Sequence, residues 1–162
     1  MKKISRNLLI SLVSIVCLLA TLSCRCPMAA KSPKKVLAVT VTVGFPHSSV
    51  PTAEKVLTEL AKTSGAFTVV DIVRSGPRPK DEAEAKIWLE KLTRDLAEKM
   101  SPAGLKNYDG IIFANTTGDL PLPDKEAFLN WIKSGKAFIG MHSATDTFRG
   151  HTPLDSYTEM IG

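Results

Sequence analysis

The sequence predicts a three-layer, doubly wound α/β fold of the flavodoxin-like type, a parallel sheet with helices on both faces. Three observations carry that expectation. Short apolar, β-branched runs alternate with stretches whose apolar residues recur every three or four positions, the pattern of strand–helix–strand units. The run Ala137-Phe-Ile-Gly-Met141 is continuously apolar, as a parallel strand covered on both faces is. Gly and Pro punctuate the junctions, among them Pro51, Gly65, Pro123 and Gly135, where helices begin and end. The 162 residues suffice for one domain with a sizeable core and are too few for two comfortable ones.

The first thirty residues read as a leader. Lys2, Lys3 and Arg6 precede an apolar run from Leu8 to Leu22, the order of a secretory signal, and the run falls short of a spanning helix. Two exits compete: Met28-Ala-Ala30 approximates ordinary signal cleavage, and Thr21-Leu-Ser-Cys24 resembles a lipoprotein box. Export follows from either, to a periplasmic, extracellular or lipid-anchored location, with membrane contact only through the leader or a lipid. Residues 31–35 read as a linker and 36–162 as the domain.

Charge and cysteine placement narrow the function. The chain carries +5, but seven cations and no acid precede residue 36, so residues 36–162 carry −2. Nucleic-acid binding thereby loses its electrostatic support. Cys17, Cys24 and Cys26 all lie in the leader, which leaves the domain without disulfide, cysteine metal site or thiol nucleophile.

In order, the first strand is Val36-Leu-Ala-Val-Thr-Val-Thr-Val43, and 44–49 is a loop. Pro51 opens a helix with Ala53, Val56, Leu57, Leu60 and Ala61 on one side, and Gly65 ends it. The second strand spans 67–73, and Pro77 and Pro79 break the pattern after it. Residues 81–100 form a long amphipathic helix with Ala85, Trp88, Leu89, Leu92, Leu96 and Met100 inward. The third strand is 110–114, a helix with Ala127, Phe128, Trp131 and Ile132 inward begins at Pro123, and 137–141 is the fourth strand. A last helix begins near Leu154, and the absence of a further strand suggests a domain truncated at its C-terminus.

Three loops leave the carboxyl ends of strands one, three and four. In a sheet ordered 2-1-3-4 those strands are neighbours and their loops converge, at the place where open α/β sheets bind ligands. The candidate catalytic residues are His47, His142 and Asp146; the candidate ligand-binding residues are Asn115, Thr116, Thr117, Asp119 and Ser143. Histidines and acids at one crevice fit metal ligation, an acid–base pair or hydrogen bonds to a sugar's hydroxyls, and their spacing singles out none. No metal or cofactor is assigned. The competing readings are a core-capping His142 and a 115–119 turn whose side chains bond their own backbone. A shared site requires the two histidines on neighbouring loops, with α-carbons roughly 10 Å apart and residues 115–119 between them. Gly140-Met-His-Ser-Ala144 has only the placement of a nucleophile elbow, and no Gly-rich phosphate loop is present.

Gly44-Phe-Pro-His47, Tyr108-Asp-Gly-Ile-Ile-Phe113, Asn115-Thr-Thr-Gly-Asp119 and Phe138-Ile-Gly-Met-His-Ser-Ala-Thr-Asp146 together resemble the trehalose-utilisation (ThuA-like) family. The resemblance implies a class I glutamine-amidotransferase-like fold and a carbohydrate ligand, a disaccharide or keto-sugar. It also implies a domain that continues beyond Gly162. Under it, the amidotransferase cysteine would fall near Met141 or His142, where none stands, so glutaminase activity is not expected. The alternatives are a non-catalytic sugar-binding or accessory module and a metal-dependent hydrolase.

Overall fold

The computed structural model describes residues 32–162. The expected leader, with its two competing exits, lies outside the described residues. Four parallel strands, β1 (Lys34–Thr40), β2 (Phe67–Arg74), β3 (Gly110–Ala114) and β4 (Ala137–Met141), form one sheet in the order β2-β1-β3-β4. Between them run α1 (Val50–Ser64), α2 (Glu82–Met100) and α3 (Lys125–Lys133), and α4 (Ser156–Ile161) follows β4. This is the flavodoxin-like α/β fold that the alternating pattern predicts.

The pleat of β1 and β3 builds three layers, because successive side chains in a strand point to opposite faces. Leu37, Val39, Ile111 and Phe113 enter a core with Leu92, Leu96 and Met100 of α2 and Phe128 of α3. Their neighbours Val36, Ala38, Ile112 and Ala114 face the other way and pack with Leu57 of α1. Continuous apolar sequence was therefore needed at β1 and β3, which serve both faces.

Local chemistry sets the helix ends. Gly65 closes α1 at φ +61°, its N–H donating to the Ala61 carbonyl at 3.1 Å, a left-handed cap that glycine adopts without penalty. Asp81 and Asp124 cap α2 and α3, accepting from the Glu84 and Ala127 N–H groups at 3.0 and 2.8 Å. The helices thus start one and two residues later than the pattern suggests, with Asp81 and Pro123 outside them.

Several expectations need correction. β1 starts at Lys34, inside the expected linker, because the Lys34 N–H donates to the Ala66 carbonyl and Lys35 to the Asp109 carboxylate. It ends at Thr40, and Thr42 survives only as an isolated bridge to Thr117. Val56 and Leu60 of α1 and Leu89 of α2 are exposed, since each helix turns a narrower face inward than its apolar residues span. β4 is not covered on both faces. It is an edge strand whose Phe138 packs into the core while Ile139 is 52% exposed. Apolar composition states a preference for burial but cannot supply a covering element; α1 lies over β2, β1 and β3.

Candidate functional site

β4 ends in a sharp reversal. Met141 is extended at φ −119° and ψ 132°, His142 is left-handed at φ +53°, and residues His142–Asp146 form a 3-10 turn. β3 ends the same way, in Asn115 at φ +62°. Left-handed backbone is unfavourable for residues with a Cβ, though Asn tolerates it better than most, and such residues concentrate at binding and catalytic sites. Both sharp turns lie at the carboxyl edge of the sheet.

The loops converge through hydrogen bonds as the strand order requires. The Thr117 carbonyl accepts from the Val43 and Gly44 N–H groups at 3.0 and 3.2 Å, and the Thr117 hydroxyl donates to the Phe45 carbonyl at 2.9 Å. The Asn115 amide donates to the Ser49 hydroxyl at 2.5 Å. On the other side the Gly118 N–H donates to the Asp146 carbonyl at 3.3 Å. Residues 115–119 therefore stitch the first loop to the third, and their side chains do more than close a turn on themselves.

Those bonds bring the two histidines together. Their ring centroids lie 4.6 Å apart at 47°, and Phe45 sets its ring edge against His47 at 5.2 Å. His142 is exposed and His47 half-buried, so His142 does not cap the core. His142 also borders a cavity of about 410 Å³ with Phe138, Gly140, Tyr157 and Met160.

The remaining candidates divide. Asn115, Thr117 and Ser143 are buried, Ser143 directly after His142 in the chain, and the Ser143 hydroxyl has no hydrogen-bond partner among the described residues. Thr116 is fully buried, its hydroxyl 2.7 Å from that of Thr147, which commits it to the interior. Asp146 accepts from Arg149 and Asp119 meets His151, each at 2.8 Å. The hydrogen bonds of the two acids thus go to Arg149 and His151, not to the imidazole pair. Among the described residues no group of three or more His, Cys, Asp or Glu could hold a metal ion, and two imidazoles alone fall short of the usual three or four protein ligands.

Sequence reasoning passed over Phe45 and His151 as partners. Phe45 was visible as an aromatic two residues from His47, but His151 pairs with an acid 32 residues earlier, which no local pattern announces. Below the elbow, the Tyr157 hydroxyl donates to the Ala144 carbonyl at 2.9 Å. Burial pushes the Tyr157 phenol well above its ordinary range, so it stays a donor.

Comparison with protein families matches residues 35–162 to the ThuA family, described as trehalose utilisation. No curated protein and no solved structure matches the chain. With nearly the whole described region covered and the strand order in agreement, the chain belongs to the ThuA family, a class I glutamine-amidotransferase-like family.

Proposed function

We propose that this protein is an exported domain that binds or transforms a carbohydrate, a disaccharide or keto-sugar, at the carboxyl-end crevice. The observation that carries the reading is the imidazole pair at 4.6 Å, presented by loops of non-adjacent strands and held by residues 115–119. Paired imidazoles offer both a donor and an acceptor to adjacent hydroxyls, or an acid and a base to a carbonyl beside one. The family's link to trehalose utilisation supports the ligand class. Glutaminase chemistry has no support, because the elbow residue is His142 and no cysteine follows Cys26.

Calorimetric titration of the full chain with trehalose and an oxidised, keto-containing disaccharide tests the reading. His47→Ala and His142→Ala should each abolish binding while circular dichroism stays native. Binding that survives both substitutions overturns the site. Export is tested by fusing the chain, with and without residues 1–30, to a secreted reporter; equal secretion of the two overturns that part.

One observation favours a non-catalytic binding module. An imidazole acting as a base is ordinarily oriented by a carboxylate, yet the carboxylates of Asp119 and Asp146 bond His151 and Arg149. Product analysis after prolonged incubation with both disaccharides separates the two, since a binding module returns each unchanged.

A further inference from the structure

His47 faces a second cavity, of about 480 Å³, between the carboxyl ends of β1 and β2. Its polar wall is built from Glu54 of α1 and Arg74 at the end of β2. Glu54 Oε1 accepts from the Thr40 hydroxyl at 2.7 Å, and Oε2 accepts from Arg74 Nε at 2.8 Å and lies 2.8 Å from Nη2. The Thr40 side chain is itself buried, so the carboxylate is anchored from below.

Another part of the wall is also fixed. The Thr42 N–H donates to Ser75 Oγ at 3.0 Å, and the Ser75 carbonyl accepts from Trp88 Nε1 at 2.6 Å. A pocket whose polar groups are tied down before a ligand arrives loses little entropy on binding. Its volume lies within the roughly 300–1,000 Å³ of small-molecule sites.

The charges decide what kind of molecule fits. Glu54 and Arg74 neutralise each other, so the wall favours neither a free anion nor a free cation. The guanidinium retains unused N–H groups and the carboxylate retains lone-pair capacity. Donor and acceptor therefore stand side by side, matching two adjacent hydroxyls. Pro46, Pro51 and Pro77 supply an apolar surface in the same cavity, suited to the C–H face of a ring.

We propose that this cavity is a subsite for one neutral sugar ring, with Glu54 and Arg74 reading neighbouring hydroxyls and His47 as the wall shared with the imidazole pair. The proposal rests on the carbohydrate reading above and adds a specificity determinant to it. A disaccharide seated here would direct its second ring towards His142.

Trehalose, glucose and glucose 6-phosphate titrated into the full chain, followed by calorimetry and amide chemical shifts, test it. Trehalose should shift the Ser75, Gly76 and His47 amides, and Glu54→Gln and Arg74→Gln should each weaken its Kd roughly tenfold or more. Glucose 6-phosphate should bind no tighter than glucose. Unchanged affinity in both variants while His142→Ala abolishes binding overturns the subsite and leaves the carbohydrate reading standing. Should a variant fail to fold, the wild-type shifts decide, and shifts confined to residues 115–119 and 142–146 overturn it. Phosphate-dependent tightening that Arg74→Gln removes overturns the neutral-ligand assignment. Failure of trehalose, glucose and the keto-containing disaccharide all to bind overturns both readings.

Discussion

The side-chain amide of Asn115 donates to the hydroxyl of Ser49 across 66 residues of sequence, at 2.5 Å. Asn115 terminates β3 in left-handed backbone and Ser49 precedes α1, so this bond fixes the first loop, which carries His47, against the second. Asn115→Ala removes the bond and puts a less tolerant residue at φ +62°. A loss of about 1–3 kcal/mol is expected. Asn115→Gly should be milder in urea denaturation, because glycine accepts that backbone; equal losses would show that the backbone contributes nothing.

Gly118 presents a sharper case. At φ +75°, a Cβ there would stand 2.7 Å from the Gly44 backbone nitrogen, which cannot swing aside as a side chain can. Gly118→Ala should cost at least about 2 kcal/mol and spread the His47 and His142 loops. Gly135→Ala provides the comparison, with φ +97° and open space around it. Chemical denaturation of the two variants should therefore rank Gly118→Ala as the more damaging, and the reverse order would refute the close-approach argument.

Tyr157 supports the elbow from beneath. Its ring stacks with Phe113 at 5.8 Å and meets Phe138 edge-on at 5.9 Å, while its hydroxyl holds the Ala144 carbonyl. Tyr157→Phe keeps the rings and deletes only the bond, so about 1–2 kcal/mol should be lost. Hydrogen exchange should quicken in residues 142–147 more than in β1. Uniform quickening would mean that the bond stabilises the domain without holding the turn.

Two carboxylates predict the acid limb of stability. The Tyr108 hydroxyl, with help from Lys99 and against the opposing effect of burial, holds Asp71 below the ordinary 3.8. Burial pushes Asp155 up, but the Lys125 ammonium and the Tyr157 N–H outweigh it and leave Asp155 also below 3.8. A carboxyl depressed in the folded state binds protons more readily unfolded, so its contribution is complete above about pH 4 and fades as pH falls further. Asp71→Asn and Asp155→Asn should each lower the melting temperature at pH 7 and flatten its fall below pH 4. A variant with an unaltered acid limb would exclude that residue from it.

Periodicity and punctuation alone determined the sheet. β-branched runs separated by helical patterns leave a parallel crossover arrangement as the workable architecture, and β3 falls on residues 110–114 as read. The same logic put His47, Asn115 and His142 at the carboxyl ends of β1, β3 and β4, because a loop residue next to a strand has nowhere else to go. Tertiary structure alone decided the partners. Thr116 and Thr117 are adjacent and chemically alike, yet one hydroxyl meets Thr147 in the interior and the other the Phe45 carbonyl. Backbone direction at the end of β3 sorts them, and composition carries no trace of that direction. Asp119 and Asp146 bond His151 and Arg149 because a carboxylate pairs with the donor that the fold places nearest in space. Ile139 stays exposed on β4 although its run reads as buried, since burial depends on what another part of the fold lays over a strand, and a strand's own residues record only how much it would gain.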